Sequence, residues 1–355
     1  METTKTNVDE LIARLPKGYV EASRSTKALK RKRGIKSAED LIKLILLYLT
    51  GGYSQIEMSI IAKSLGIAEM SDVAFLKRFS KCQAWLEWIV SQIIPSSIIE
   101  YKLPKSFESY TIVALDANDV SEKGRAKRIF RLHYAINIMK MCAVSFKITP
   151  QSVGETLLNF DVKENWLILA DRIYGTLTGI EHCIKANANF ILRLRCNAFK
   201  LYNKDGSEIN LLGLLHDVTC HTAKSIEVYV KLPTLGLTQL RICATRIPDD
   251  KLENVNSRNR RKASKKQIIV SNDALTMSQY VVVITALPTS ISAWDIVSLY
   301  QLRWQVEIYF KRLKSILDFG NVPLVREDSI YTWLNGKLLV SLLIEQMISE
   351  VDFSP

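Results

Sequence analysis

Apolar residues in the N-terminal third of the chain recur at helical spacing, between residues that typically begin and end helices. Ser37 predicts the start of a helix whose apolar face spans residues 41–49, and the glycine pair at 51–52 predicts its end. Ser54, with an acidic residue three positions later, predicts the next start. Together with a further helix over residues 72–79, this pattern has the outline of a helix-turn-helix.

The pattern changes at residue 110 to short apolar runs that are rich in β-branched residues. These runs predict strands at 111–115, 128–138, 142–149 and 166–170, of which the first three are sequential and antiparallel. Asp116 follows the first run directly, and Asp171 follows the last. Two buried strands that each end in a carboxylate would bring both carboxylates to one edge of a sheet.

Further strands are predicted beyond Asp171, at 190–195, 225–232, 237–247 and 280–287. Between the last two, the segment SRNRRKASKKQ (257–267) holds six cationic residues and no acidic one. A hairpin tip that lies along DNA phosphates and a disordered loop both agree with this composition. The cations proposed for DNA contact are Arg258, Arg260, Arg261 and Lys262.

Residues 298–314, SLYQLRWQVEIYFKRLK, contain no Gly or Pro and are predicted to be helical throughout. At 100° per residue, four polar side chains share an arc of about 60° beside the apolar face. They are Tyr300, Arg303, Glu307 and Lys314. From spacing alone, a surface helix with ion pairs at i, i+4 and i, i+7 also explains this arc.

Composition and charge narrow the classes of function. The 355 residues are 48% apolar, which is enough for two or three cores. The 48 Lys and Arg exceed the 36 Asp and Glu, and the net charge of +12 favours a polyanionic partner. The six cysteines form no CxxC pair, and His216, Cys220 and His221 lack a fourth ligand at a usual spacing, which argues against zinc.

Signals for export, membranes and other enzyme classes are missing from the sequence. The start METTKTNVDE lacks a basic region followed by an apolar one, and no run reaches the ~18 apolar residues of a membrane span. A GxSxG elbow and a Walker A motif are also absent. We therefore expect a cytoplasmic protein with no membrane partner.

The spacing Tyr-x2-Arg-x3-Glu-x6-Lys over residues 300–314 resembles the YREK signature of a large group of bacterial insertion-sequence transposases. Three shorter segments resemble motifs of the same group: LHYAIN (132–137), GET (154–156) and ADRIYG (170–175). The resemblance extends over residues 35–350. It implies an α/β fold, with an RNase H-like mixed sheet, flanking helices, a β-rich insertion and an N-terminal helical DNA-binding region.

The resemblance implies that Asp116, Asp171 and Glu307 are the catalytic DDE triad and the metal ligands. Three carboxylates can hold two divalent cations about 4 Å apart. Hard oxygen donors suit Mg²⁺, with Mn²⁺ as a substitute. The chain reads Asp-Ala-Asn-Asp from position 116, whereas the family commonly has a small residue and then Ser or Thr, so Asp119 remains an alternative first ligand.

The resemblance also implies a reaction and a set of DNA contacts. Tyr300, Arg303 and Lys314 would contact phosphates at the DNA ends, and the Tyr300 ring would stack on a displaced base. The reaction would be hydrolysis at transposon ends followed by attack of the freed 3′-hydroxyl on target DNA, by a homodimer in a synaptic complex. The resemblance further implies a bacterial, nucleoid-associated protein. Two alternatives remain from the sequence, namely another RNase H-like nuclease and an inactive or truncated transposase relic that only binds DNA.

Residues 24–36, RSTKALKRKRGIK, hold seven Lys or Arg and no acidic residue, which suits a solvated linker or contact with phosphate. Its central cations are Lys30, Arg31, Lys32 and Arg33. With the helix-turn-helix outline and the resemblance, this run predicts DNA binding by residues 24–100.

The predicted domain organisation has four parts. They are a helical DNA-binding region over 1–105, the first part of the core over 106–190, a β-rich insertion over 191–290, and the second part of the core with C-terminal helices over 291–355.

The apolar helix predicted over 338–348 is followed by little sequence that could cover it. We therefore expect an exposed stripe that mediates dimerisation or lowers solubility, and a missing terminal segment, unless the stripe packs on the core. Its members are Leu338, Leu339, Leu342, Leu343 and Met347.

Overall fold

The computed structural model describes residues 2–30, 34–93, 104–122, 129–139, 142–195, 197–267, 271–307, 311, 321–324 and 326–350. Four predicted DNA contacts lie outside the described residues. They are Arg31, Lys32, Arg33 and Lys314.

Helices make up the described part of the N-terminal region. They are α1 (Glu2–Ala13), α2 (Tyr19–Ser25), α3 (Ala38–Gly51), α4 (Gln55–Ser64), α5 (Asp72–Phe79) and α6 (Gln83–Ile93). The predicted helix starts are confirmed, since the Ser37 hydroxyl accepts the Asp40 N–H and Ser54 forms a full capping box with Glu57. Gly52 ends α3 with a left-handed φ of 66°, which favours glycine at that position.

The strands form one mixed sheet. They are β1 (Thr111–Glu122), β2 (Ile129–Asn137), β3 (Cys142–Pro150), β4 (Trp166–Ala170), β5 (Asn189–Arg193), β6 (Lys224–Leu232), β7 (Gly236–Arg246), β8 (Tyr280–Thr285) and β9 (Asn321–Val322). Their order is β3-β2-β1-β4-β5-β8-β7-β6, and β9 pairs with β1. The first three strands are antiparallel, whereas β4 and β5 run parallel to β1, as the predicted α/β class requires.

The strands predicted beyond Asp171 are present, and they extend this same sheet. The run at 190–195 gives β5, which pairs in parallel with β4. β8 then pairs antiparallel with β5, and β7 and β6 follow outward. The segment between the two halves of the core therefore continues the central sheet through backbone hydrogen bonds.

Helices cover both faces of the sheet. They are α7 (Leu177–Lys185), α8 (Asp249–Lys266), α9 (Asn272–Ser278), α10 (Ala293–Tyr300) and α11 (Glu327–Glu350). Residues alternate between two cores along the strands, because successive side chains in a strand point to opposite faces. On β1, Ile112 and Ala114 share a core with α10, α11 and the N-terminal helices, whereas Val113 and Leu115 share the other with α7.

The predicted exposed stripe near the C-terminus is wrong. Four of its leucines, in α11, are at most 4% exposed, and Met347 packs against the same core. Helix α11 lies against α6 and α3, and the buried Lys337 donates from Nζ to the Leu49 carbonyl at 2.7 Å. The N-terminal helices therefore cover this apolar face. None of the helices in the described part of the chain is long and apolar enough to cross a membrane.

Candidate active site

The parallel pairing of β1 with β4 brings the first two carboxylates of the predicted triad to neighbouring positions. Ala114 lies opposite Leu169, and the same register continued by two residues sets Asp116 opposite Asp171. Adjacent strands are about 4.8 Å apart. By the alternation along each strand, both aspartates belong to the sheet face that α10 and α11 cover.

Asp116 does not end its strand, as the sequence pattern suggested. β1 continues to Glu122, because β2 keeps pairing with it as far as Ser121 opposite Ile129. The polar side chains after residue 115 do not end the strand, because its hydrogen bonds to β2 are made by the backbone. Asp171 is at the end of its strand, directly after β4, as predicted.

Glu307 reaches the site from the connection that follows α10. The prediction of one continuous helix over 298–314 is wrong in one detail, because a 3-10 turn, Gln301–Arg303, follows α10 before the helix resumes at 304–307. This turn contacts both β1 and β4, the strands that carry the two aspartates. At this contact with the sheet the backbone forms a 3-10 turn, whereas the helical spacing of the sequence predicts a regular α-helix.

Arg303 connects the aromatic and acidic members of the predicted signature. Its Nη2 donates to Glu307 Oε1 at 2.8 Å, and its guanidinium carbon lies 5.8 Å from the centre of the Tyr300 ring. The Tyr300 side chain is only 6% exposed, and burial raises the pKa of its hydroxyl to about 12. A base can therefore stack on Tyr300 only if Arg303 moves off the ring.

Electrostatic interactions act among the charged residues of the candidate site. The pKa of Asp116 is raised to about 6, mainly by burial and in part by the charges of Glu307 and Glu155, while the Ala117 N–H and Arg303 oppose the change. Asp171 acts in turn on Arg303 and on Tyr300. Carboxylates that repel one another in a partly buried position are stabilised by a bound cation.

We expect Asp116→Asn to stabilise the metal-free protein at neutral pH. The pKa of Asp116 in the folded protein lies above its unfolded value of about 3.9. The protonated side chain therefore contributes fully to the stability of the folded state below pH ~4, and this contribution is lost as the pH rises through about 6. At pH 7.5 the variant should have a free energy of unfolding about 1–3 kcal/mol higher than that of the wild type. It should therefore unfold at a higher temperature. The difference should disappear near pH 4 in thermal melts.

The donor chemistry of the triad fits a hard divalent cation, but the described side chains do not form a ready metal cage. Among the residues that the structure describes, no three His, Cys, Asp or Glu side chains are close enough to hold a metal together. Arg303 engages one carboxylate oxygen of Glu307, and the Ala117 N–H donates to Asp116 Oδ1 at 2.9 Å.

Asp119, the alternative first ligand, has different partners. It lies in β1 opposite Arg131, whose Nε donates to Asp119 Oδ1 at 2.8 Å, and Gln151 Nε2 donates to its other oxygen at 3.1 Å. Being three positions from Asp116 in a strand, it points to the opposite face. These contacts favour Asp116 over Asp119 as the partner of Glu307.

A cationic cleft opens beside the triad. Its volume is about 640 Å³, and Tyr300, Arg303 and Arg193 form the wall nearest the carboxylates. Two exposed indole rings border it, with Trp294 48% and Trp304 56% exposed. Arg246 and Lys251 add positive charge on the side of β7 and α8. The cleft thus combines cations with aromatic faces, which suits single-stranded or unpaired nucleic acid.

The basic segment 257–267 is neither a hairpin tip nor a disordered loop. It is the second half of α8, an 18-residue helix that begins with Asp249 and Asp250 and contains no Gly or Pro. Arg260 and Arg261 are exposed, and Arg258 and Lys262 belong to the same helix. The first half of α8 borders the cleft through Lys251, Asn254 and Val255. The helix therefore leads from the cleft into a basic surface.

Sequence reasoning missed several residues of this region. Arg193 ends β5 within reach of Asp171, and burial together with Arg172 and Arg303 lowers its pKa. The sequence could have indicated Arg193, because it ends the strand that pairs in parallel with β4 and so lies at the same edge of the sheet as Asp171. The side chains of Glu155 and Tyr174 also interact with the triad. In the sequence, both lie in segments whose only signal is the family resemblance. Lys30, from the first basic run, is exposed and distant in sequence from the site.

Comparisons with known proteins give a family match and two relatives. Residues 108–343 match the family model described as "Transposase DDE domain". The chain is 26% identical to a putative transposase, InsL, for insertion sequence element IS186A of Escherichia coli K12, over 96% of this chain and 93% of that protein. It is also 26% identical, with the same coverage, to the transposase for insertion sequence element IS421 of Escherichia coli.

Proposed function

Because the chain belongs to the family of transposases with a DDE domain, we propose that Asp116, Asp171 and Glu307 are the carboxylates with which it cleaves and joins DNA. The chain is a transposase that acts on DNA. Transposases of this family generally use divalent metals. The observation that carries the assignment is the β1–β4 register, which sets Asp116 beside Asp171 under the turn that leads to Glu307. The YREK subgroup stays a prediction.

The proposed reaction has two chemically similar steps. In the first, a water oxygen attacks phosphorus at the end of the element, and the bond from phosphorus to the 3′-oxygen breaks to leave a 3′-hydroxyl. In the second, that hydroxyl attacks a phosphodiester of the target and displaces the target's 3′-oxygen. Bound Mg²⁺, or Mn²⁺ in its place, supplies Lewis-acid stabilisation of the charge that develops on these oxygens.

Arg303 would have two roles in this reaction. In the absence of DNA it holds Glu307 through the 2.8 Å hydrogen bond and covers the Tyr300 ring. A phosphate that enters the cleft offers the guanidinium a stronger bidentate partner than one carboxylate oxygen. Transfer of Arg303 to the phosphate would free Glu307 to join Asp116 and Asp171, and would uncover Tyr300. Substrate binding and assembly of the metal site are coupled in this proposal.

The DNA end would enter through the cleft and continue along α8. Trp294 and Trp304 present exposed rings on which unpaired bases can stack, and Arg193 and Arg246 line the same cleft. Lys314 is assigned to the same contact by its place in the signature. The N-terminal helices, with Lys30 and the exposed Lys77 of α5, would hold duplex DNA farther from the cleavage point.

Two copies are expected to work together in a homodimeric synaptic complex. Each element has two ends, and every copy provides one set of triad carboxylates. Pairing two copies therefore gives each end its own site.

Replacing Arg260 and Arg261 with alanine should weaken DNA binding mainly at low salt. Each lost phosphate contact is expected to reduce the log–log slope of affinity against salt by about 0.9, so the double variant should lose nearly two units. Fluorescence anisotropy with duplex DNA at several salt concentrations measures the slope. Lys200→Ala with Lys204→Ala is the matched control, since these exposed lysines lie between β5 and β6. An unchanged slope in the α8 variant would remove this helix from the DNA path.

The direct test of the proposed function is a cleavage assay with the complete chain. The substrate is duplex DNA that carries the element's own end sequence and flanking donor DNA. With Mg²⁺ or Mn²⁺, the protein should release a 3′-hydroxyl at the end of the element, and a chelator should stop the reaction. Specific binding without cleavage under any of these conditions would instead identify a protein that only binds DNA.

A further inference from the structure

A short loop beside the triad carries an acidic residue to which the proposed reaction has so far given no role. Arg131 Nε lies 3.7 Å from Glu155 Oε1, and Arg131 Nη1 donates to the Val153 carbonyl at 3.1 Å. Asn159 Nδ2 donates to the Gly154 carbonyl at 2.7 Å. Two side-chain hydrogen bonds to the carbonyls directly before Glu155, together with its ion pair to Arg131, thus hold Glu155 in place.

The support for this loop is itself anchored in the sheet. His133 is fully buried in β2, and its Nε2 lies 2.9 Å from Thr149 Oγ1 on β3. Its Nδ1 lies 3.4 Å from Asn159 Nδ2. Arg131 and His133, two positions apart on one face of β2, therefore both fix the loop. A surface loop without a role in the site has no physical need for this degree of internal support.

Tyr174 provides a second, independent observation. Its side chain is fully buried and its ring packs edge-on against Phe160, with centroids 6.3 Å apart. Within the described residues its hydroxyl has no hydrogen-bond partner. The charges of Asp116, Glu155 and Asp171 all act on this hydroxyl. A buried hydroxyl without a partner is unfavourable by about 1–3 kcal/mol, so a partner from outside the chain is expected.

The surroundings decide what kind of partner fits. Three carboxylate charges act on this hydroxyl against one guanidinium, that of Arg131, so the position disfavours an anionic phosphate oxygen. A neutral water or alcohol oxygen fits, because it accepts from the phenol O–H and donates to a carboxylate. Resting on the proposed function, we propose that Tyr174 and Glu155 bind the water molecule that is the oxygen nucleophile of the cleavage step, because a buried hydroxyl can be reached by water but not by a DNA chain.

In this arrangement the two residues divide the work. The Tyr174 hydroxyl donates to a lone pair of the nucleophile, and Glu155 accepts its hydrogen, so that the remaining lone pair is directed away from both. Arg131 is a positioning residue, because it acts through Glu155. The triad and the proposed pair approach the same edge of the sheet from opposite faces, as their different cores require.

Tyr174→Phe and Glu155→Gln, made in the complete chain, test this inference. Each should lower the single-turnover rate of cleavage about tenfold to a hundredfold, which corresponds to loss of one hydrogen bond that involves a charged group. Half-saturation by DNA should not change. The melting temperature of Tyr174→Phe should equal or exceed that of the wild type, since the variant removes a buried hydroxyl without a partner. Glu155→Asp should recover part of the lost rate.

Two matched variants control for general effects. Tyr280→Phe removes the hydroxyl of another buried tyrosine, in β8, and Glu208→Gln removes an exposed carboxylate that pairs with Lys200. Both should cleave at the wild-type rate. Full activity of Tyr174→Phe, or a loss of activity matched by a fall in melting temperature, would overturn the inference and leave the proposed function intact. A wild-type protein that fails to cleave would overturn the proposed function, and this inference with it.

Discussion

Asp116→Asn, Asp171→Asn and Glu307→Gln are each expected to reduce strand cleavage by at least about a thousandfold. Each change replaces a carboxylate with a neutral amide of nearly the same shape, so the fold is kept while a ligand charge is lost. Lewis-acid stabilisation by a bound metal is worth several kcal/mol in the transition state, and about 4 kcal/mol corresponds to three orders of magnitude. Single-turnover assays with end DNA and Mg²⁺ measure the rate.

Binding of end DNA should survive in all three variants, because the cleft cations and α8 are unchanged. Asp119→Asn is the matched control for the first ligand, since Asp119 pairs with Arg131 and lies on the other face of β1. It should retain most of the wild-type rate. If Asp119→Asn were inactive and Asp116→Asn active, the first ligand would be Asp119, and the register argument from β1 and β4 would be wrong.

Leu339→Ala should destabilise the protein by about 2–5 kcal/mol, the range expected when a fully buried leucine is truncated. Leu339 is completely buried in α11, where the N-terminal helices and the sheet share one core. A change of this size should lower the melting temperature and the denaturation midpoint together, without altering the oligomeric state. Chemical denaturation and light scattering provide both readings.

The control for this prediction is Ile60→Ala in α4, a β-branched residue that is 62% exposed. Its effect on stability should stay within about 0.5 kcal/mol. If instead Leu339→Ala left stability unchanged but abolished dimerisation, α11 would be an interface between copies, as its sequence alone suggested.

Local chemistry made much of the fold predictable. Ser37, Ser54 and the run at 166–170 define their elements within the sequence, through caps or a continuous apolar stretch bounded by polar residues. The extension of β1 beyond residue 115 was not predictable in this way. It depends on pairing with β2, and polar residues carry no local signal for such pairing. The burial of α11 likewise depends on helices that are distant in sequence.

The candidate site divides along the same line. Asp116 and Asp171 were predicted from the ends of two apolar runs, and Glu307 from helical spacing and a family signature. Tyr174 carries no signal of its own, because nothing in its local sequence distinguishes it from an ordinary core or turn residue. Its buried hydroxyl, which has no partner among the described residues, becomes visible only when the whole core is assembled around it. The cationic cleft is similar, since Arg193, Arg246 and Trp304 come from separate parts of the chain.

In the proposed mechanism, Asp116, Asp171 and Glu307 together hold the catalytic metal when DNA is bound. The decisive measurement is a crystal structure of the complete chain with end DNA and Mn²⁺, analysed by anomalous diffraction. We expect a manganese peak between the Asp116 and Asp171 carboxylates, with Glu307 released from Arg303 and turned toward the metal. A peak held by Asp119 and Glu155, or Glu307 still bound to Arg303 beside an occupied metal position, would show that the assignment is wrong.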